Sequence, residues 1–318
     1  MDILGTTISP IGMGCWPIGG PFFDGDTPLG YSGADDAQSI RTIHAALDAG
    51  IQLFDTAAAY GTGHAERLLA RALKDRPDAL IVTKIGLAID EEARQLKGPD
   101  TDPTNVPAAI DACLRRLDRD RIDILLLHAG EMAVEHALPI LDRMEEARQT
   151  GKIRTYGWST DLPDRAEAAL RPGVNATQFA MNVVHDAPRM QAIAEANNLI
   201  ALIRSPLAMG ILTGKFDATT QMAADDVRAT TRASRDFFEN GRVNPAHLAS
   251  LDAVRDLLQT GGRTLAQGAL CWLLARSDRA VPIPGARTPD QIEETAAALQ
   301  HGPLPPDTMA EIDRVLGR

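Results

Sequence analysis

Four side chains able to hold or move a proton stand at the ends of three successive apolar runs. Asp55 ends one, with Tyr60 five residues on in the loop; Lys84 ends the next, and His128 ends the third. A lone polar residue at a strand end is often a satisfied structural group. Lys84 resists that explanation, because a buried ammonium needs a partner. Lysines at strand ends also act as Schiff-base nucleophiles. The residues alone therefore leave proton transfer, covalent lysine chemistry and a structural ion pair open.

Any of these needs a scaffold that brings strand ends together. Eight β-rich apolar runs cover residues 8–14, 51–56, 79–85, 122–128, 153–159, 176–182, 199–205 and 279–285. Several are nearly continuous, such as Ile122-Asp123-Ile124-Leu125-Leu126-Leu127, as parallel strands covered on both faces require. Segments of helical period separate them. Asp35 and Asp36 can cap a helix whose Ile40, Ile43 and Leu47 share one face, ending at Gly50. Leu68, Leu69, Ala72 and Leu73 give a second stripe; Val134, Leu138 and Leu141 give a third, closed by Gly151. The alternation predicts an α/β fold, a (β/α)8 TIM barrel forming a single domain over residues 1–318. A doubly wound sheet is the competing architecture. When it binds a dinucleotide it carries Gly-x-Gly-x-x-Gly after its first strand, whereas this chain reads Gly12-Met13-Gly14-Cys15-Trp16. Residues 19–33 and 206–245 interrupt the alternation as long loops. At the C-terminal face of a barrel, loops of that length predict function.

The stretch Phe54-Asp55-Thr56-Ala57-Ala58-Ala59-Tyr60-Gly61, followed by Glu66, resembles the signature of the aldo-keto reductases. Thr83-Lys84 and Leu127-His128 match that family's next two motifs at the expected spacing. The resemblance runs from Ile8-Ser9-Pro10-Ile11-Gly12-Met13-Gly14 to Ile283-Pro284-Gly285-Ala286-Arg287. It implies a catalytic tetrad of Asp55, Tyr60, Lys84 and His128 in an NADPH-dependent oxidoreductase that reduces aldehyde or ketone carbonyls. The chemistry accounts for these residue types. A carbonyl that receives hydride from C4 of reduced nicotinamide needs a proton donor at its oxygen. Tyrosine, with an ordinary pKa of about 10, is a weak acid at neutral pH. Lys84 is expected to favour its phenolate, and Asp55 to hold Lys84 charged and oriented. A neutral His128 would polarise the carbonyl.

The resemblance also implies cofactor contacts at Gly14, Cys15, Trp16 and Asp55. Ser159 and Thr160 occupy the place where the family has Ser-Asn gripping the nicotinamide carboxamide; Thr160 is a departure, since a hydroxyl cannot supply an amide pair. Gln178 matches the second carboxamide ligand, and Asn182 fits the same pattern. Ser205, Pro206, Leu207, Gly210 and Lys215 resemble the loop that covers the pyrophosphate. Arg204 stands where many members place an aromatic against the nicotinamide; stacking, phosphate contact and an ion pair with a neighbouring carboxylate are all open. Pro284, Gly285, Arg287, Gln291 and Glu294 resemble the adenosine-end motif, with Thr295 where Asn is common. There Thr288 is expected as N-cap and Pro289 at the first helical position. Arg287 would take a 2′-phosphate, which favours NADPH/NADP+ over NADH. No metal-ligand spacing occurs.

For a small carbonyl substrate, Trp16, Phe22, Phe23, Tyr60, His128 and Ala129 are the expected walls, with Phe237 and Phe238 as further candidates. Ala129-Gly130 replaces the family's common Trp-Pro, which predicts a roomier pocket. The balance of 43 Asp+Glu against 32 Lys+Arg, a net charge of −11, argues against nucleic-acid or anionic-membrane partners. The stretch 228–242 still gathers Arg228, Arg232, Arg235 and Arg242 against Asp236 and Glu239, and is expected to fold over the pyrophosphate. No apolar run reaches about 18 residues, so no membrane span is expected. The first residues show no secretory pattern, and Cys15, Cys113 and Cys271, few and far apart, suit a reducing cytoplasm. The sequence leaves oligomeric state open. The competing functional reading is a cofactor-binding regulatory protein on the same fold, with little turnover.

Overall fold

The computed structural model describes residues 1–230 and 237–318. Eight parallel strands carry the architecture: β1 (Met13–Gly14), β2 (Leu53–Asp55), β3 (Leu80–Ile85), β4 (Ile122–Leu127), β5 (Ile153–Ser159), β6 (Val174–Ala180), β7 (Ile200–Arg204) and β8 (Ala280–Pro282). They lie side by side in sequence order. The two edges meet: Gly12 N donates to the Pro282 carbonyl at 3.0 Å and Gly14 N to that of Pro284 at 2.9 Å, with a parallel bridge from Gly14 to Gly285. The result is the expected (β/α)8 barrel.

Helices follow the strands: α1 (Asp36–Asp48), α2 (His64–Ala72), α3 (Val106–Leu117), α4 (Val134–Gln149), α5 (Pro163–Ala168), α6 (Pro188–Ala196), α7 (Pro245–Gln259), α8 (Leu265–Arg276), α9 (Pro289–Ala296) and α10 (Pro306–Val315). Their starts are written in the sequence. The Asp35 carboxylate accepts from Gln38 N at 2.7 Å, and Thr264 and Gln267 form a reciprocal capping box at α8. Among the described residues no helix is long and apolar enough to cross a membrane.

Alternate strand residues separate two cores, because successive strand side chains point to opposite faces. Leu53, Leu80, Val82, Ile124, Leu126, Ala176, Ile200, Leu202 and Val281 fill the barrel. Phe54, Ile81, Leu125, Leu127, Tyr156, Trp158, Phe179 and Ile203 pack outward in the core that the helices cover. An N-terminal hairpin, Asp2–Ile3 with Thr6–Thr7, closes the bottom by adding Ile3 to the inner core. Gly157 sits where the β5–β6 register shifts; a Cβ there would come within 1.8 Å of the Ala176 carbonyl oxygen.

The long loops build the mouth. Thr27–Pro28 and Phe23–Asp24, from the loop after β1, join Gln95–Pro99 and Leu87–Asp90, from the loop after β3, in a four-stranded sheet. The 87–99 hairpin has no counterpart in the apolar-run pattern of the sequence. The loop after β7 meets the first: Val227 N donates to the Gly30 carbonyl at 2.8 Å, Ser32 Oγ donates to Asp226 Oδ2 at 3.3 Å, and the Arg228 guanidinium lies 5.0 Å from the centre of the Tyr31 ring.

Candidate active site

The last apolar level inside the barrel includes Leu53, Val82, Leu126, Ala176 and Leu202. Two residues further along each chain, the next inward positions are Asp55, Lys84, His128, Gln178 and Arg204; Ser159 joins them from β5. Period-two alternation thus places a polar layer on top of an apolar barrel, at the C-terminal ends of the strands.

Hydrogen bonds tie this layer together. Lys84 is 0% exposed, and its Nζ donates to Asp55 Oδ2 at 2.7 Å, to the Thr56 carbonyl at 2.8 Å and to Tyr60 Oη at 3.2 Å. Three acceptors satisfy all three ammonium protons. Gln178 Nε2 donates to the other Asp55 oxygen, Oδ1, at 2.8 Å, and Ser159 Oγ donates to Gln178 Oε1 at 3.0 Å. His128 meets Tyr60 edge-on with ring centroids 5.8 Å apart, and its Nδ1 is buried with no hydrogen-bond partner among the described residues. On the helix side of β3, Glu66 of α2 accepts from Thr83 Oγ1 at 2.6 Å and from Arg116 Nε of α3 at 2.5 Å.

Burial sets the protonation states. It pushes the Tyr60 phenol above its ordinary value, and the attraction of Lys84 offsets this only in part. The expected bias toward phenolate is therefore outweighed, and Tyr60 holds its proton. Burial also raises the Asp55 carboxyl against the pull of Lys84 and Gln178. For Lys84, burial acts downward, but Asp55 and Tyr60 together hold it above the ordinary lysine value. His128 is pushed well below its usual range by burial first and then by Lys84 and Arg204, so its imidazole is neutral.

The layer opens into a cavity of about 570 Å³. One wall is apolar: Trp16, Phe22, Leu29, Tyr31, Leu87 and Leu96. Trp16 stacks on Tyr60 at 5.9 Å between centroids, meets Tyr31 edge-on at 5.3 Å, and donates from Nε1 to the Leu29 carbonyl at 2.9 Å. Elsewhere the cavity is lined by Lys215, Arg228 and Arg287 beside Gln291, Glu294 and Thr295 of α9. Burial, then Arg228 and Arg287, pull Lys215 below the ordinary lysine value, which marks a region of positive potential. Among the described residues Lys215 has no carboxylate within ion-pair distance.

The model of the Aldo/keto reductase family matches residues 10–316. The chain belongs to the aldo-keto reductase family. It is 30% identical over 303 residues to the aldo-keto reductase YhdN of Bacillus subtilis, covering 91% of this chain and 84% of that one. It is 29% identical to the NADH-specific methylglyoxal reductase of Escherichia coli, covering 93% and 92%. A glycerol dehydrogenase structure from Gluconobacter oxydans superposes with a TM-score of 0.81 at 28% identity, over 99% of this chain and 93% of that one.

Most residues matched to aldo-keto reductase motifs line this cavity: Gly14, Trp16, Asp55, Ser159, Gln178, Arg204, Ser205, Pro206, Leu207, Gly210, Lys215, Gly285, Arg287, Gln291 and Glu294, with Phe22, Tyr60 and His128. Lys84 does not line it and reaches it through Tyr60 and Asp55. Others do not line it. The Cys15 thiol is buried, donates to the Met13 carbonyl at 3.7 Å, and is raised above its usual value by burial. Thr160 donates its hydroxyl proton to the Gly130 carbonyl at 2.7 Å and accepts from Leu162 N at 3.1 Å, which uses it locally. The Pro284 carbonyl is taken by barrel closure. Phe23 belongs to the mouth sheet. Ala129 is buried, and its carbonyl accepts from Trp158 Nε1 at 3.1 Å. Phe237 packs on His247, and Phe238 on Phe216, and neither lines the cavity. Asn182 Nδ2 donates to the Ser205 carbonyl at 2.9 Å, shaping the loop rather than lining the site. Arg232, Arg235 and Asp236 lie outside the described residues. Within the same stretch Arg228 lines the cavity, while Arg242 is exposed and donates to Gln221.

Sequence reasoning missed the wall formed by Leu29, Tyr31, Leu87, Leu96 and Met209. Tyr31 carried a usable signal, since it is one of three tyrosines and lies in the loop with Phe22.

Proposed function

We propose that this chain is an NADPH-dependent reductase of aldehyde and ketone carbonyls, with Tyr60 as proton donor. The observation that carries the reading is the Tyr60 phenol 3.2 Å from the buried Lys84 ammonium, facing a neutral His128 across one cavity. When bound, reduced nicotinamide supplies hydride to the carbonyl carbon. Tyr60 gives its proton to the carbonyl oxygen, and Lys84 stabilises the phenolate left behind. His128, with no competing partner at Nδ1 among the described residues, is free to orient the carbonyl. Asp55 holds Lys84 in place, and Gln178 holds Asp55.

The donor set suits a dinucleotide. Ser159 and Gln178 offer polar groups to a carboxamide, and Lys215, Arg228 and Arg287 offer charge to phosphates. Arg287 precedes the N-terminus of α9, whose cap Thr288 accepts from Gln291 N at 3.3 Å. The Escherichia coli relative is named for NADH, so the preference for NADPH rests on this chain's own Arg287 and its neighbours. Three free thiols suit a cytoplasmic setting.

The test is oxidation of NADPH and, separately, NADH, across a panel of aldehydes and ketones. We expect turnover with NADPH that is abolished in Tyr60→Phe. No turnover on any carbonyl, with tight cofactor binding retained, would favour the regulatory reading instead.

A further inference from the structure

We propose that Arg204 makes this site sense the charge of its cofactor, so that it binds the reduced dinucleotide more tightly than the oxidised one. The inference rests on the nicotinamide reading above. β7 directs Ile200, Leu202 and then Arg204 toward the barrel axis, which puts a guanidinium in the polar layer itself. Its register partner is Ala180, two residues beyond Gln178 on the neighbouring strand.

The charge of Arg204 is felt where the chemistry would occur. It acts to lower the carboxyl of Asp55, the phenol of Tyr60 and the imidazolium of His128. Burial lowers Arg204 to about 10, so it remains a cation at neutral pH. A ring that delivers hydride to a carbonyl held by Tyr60 and His128 must enter the cavity that Arg204 lines. Oxidised nicotinamide carries a positive charge on that ring, and reduced nicotinamide does not. A fixed cation in a low-dielectric layer therefore repels one form and spares the other. Binding that differs between two forms shifts the equilibrium toward the better-bound one.

Asp161 moderates the effect. Its carboxylate pairs with Arg204 and accepts from Ala180 N at 2.8 Å; of the two residues, Arg204 lines the cavity and Asp161 does not. The consequence is a site biased toward carbonyl reduction, with the spent cofactor released readily.

The experiment measures binding without turnover. NADPH and NADP+ are titrated separately against the purified protein, following intrinsic tryptophan fluorescence, since Trp16 lines the cavity. We expect a Kd for NADP+ about tenfold above that for NADPH, equal to about 1.4 kcal/mol. Arg204→Leu brings the ratio toward unity by tightening NADP+. Arg204→Lys preserves the ratio, and Asp161→Asn, which strips the neutralising carboxylate, widens it. If Arg204→Leu does not fold, the Asp161→Asn arm decides. A wild-type ratio near unity, or a ratio that none of these variants moves, overturns the proposal and leaves the reductase reading standing. Failure to bind either dinucleotide overturns both.

Discussion

Gln178 donates from Nε2 to Asp55 Oδ1 at 2.8 Å, joining β6 to β2 across the mouth of the barrel. Lys84 takes the other oxygen of the same carboxylate. With both oxygens held from different strands, Asp55 cannot rotate, and the ammonium it holds stays aimed at Tyr60. The polar layer therefore behaves as one unit, in which removal of any member is felt at the phenol.

On the proposed reading, Tyr60→Phe removes the proton donor and leaves the ring that stacks on Trp16. We expect kcat for carbonyl reduction to fall by about 10²–10⁴-fold, the usual contribution of a positioned acid, with the Kd for NADPH nearly unchanged. In the parent protein, burial holds the phenol above its ordinary value of 10.0, so on that reading reduction is expected to decline only as pH rises beyond that point. A steady-state pH profile checks both. An alkaline decline centred near neutrality would contradict the assignment.

Lys84→Met leaves the Asp55 carboxylate buried at 3% exposure without its cation. Breaking a buried pair from one side costs about 3–5 kcal/mol. Denaturant melts of Lys84→Met should show a loss of that order. The double variant Lys84→Met with Asp55→Leu should recover part of it, because no buried charge is then orphaned. Equal losses in the two proteins would mean that packing, not charge, holds this site.

The strands were legible because they are continuous apolar runs, and β5 matches its run residue for residue. β1 shrinks to Met13–Gly14 from the longer run; Pro10 within that run has no N–H for a sheet ladder. The Leu87–Asp90 and Gln95–Pro99 strands were hidden, since they are half exposed, pair chiefly with each other, and join the rest of the mouth sheet only where Gln95 meets Phe23, far back in the chain. Five of the expected contact residues do not line the cavity. Cys15, Thr160, Ala129, Phe23 and Pro284 are each the immediate neighbour of a residue that lines the cavity. A motif carries over a whole tripeptide, but in extended chain only alternate side chains share a face.

His128 is neutral in the native protein down to well below pH 6.5, while in the unfolded chain it takes a proton near that value. Between those limits the unfolded state binds the extra proton, so stability falls as pH drops below 6.5. His128→Asn removes this one contribution. Urea midpoints measured from neutral to acid pH should therefore fall less steeply in the variant than in the parent. Parallel slopes would show that His128 titrates alike in both states.

Arg287 decides between the two dinucleotides if it meets a 2′-phosphate. Its Nη1 also donates to the Ser32 carbonyl at 2.6 Å, and its backbone N to Gln291 Oε1 at 2.9 Å, so one residue joins the first loop to α9. Arg287→Ala is expected to weaken NADPH binding by about 10–100-fold, the loss of one or two charge-assisted hydrogen bonds. NADH, which lacks the phosphate, should bind the variant nearly as it binds the parent. The two roles separate in the comparison. A phosphate contact lowers affinity for NADPH alone, whereas loss of the Ser32 anchor loosens the loop and lowers both equally. Isothermal titration of each cofactor into both proteins gives the answer, and an equal loss would move the phosphate contact to Lys215 and Arg228.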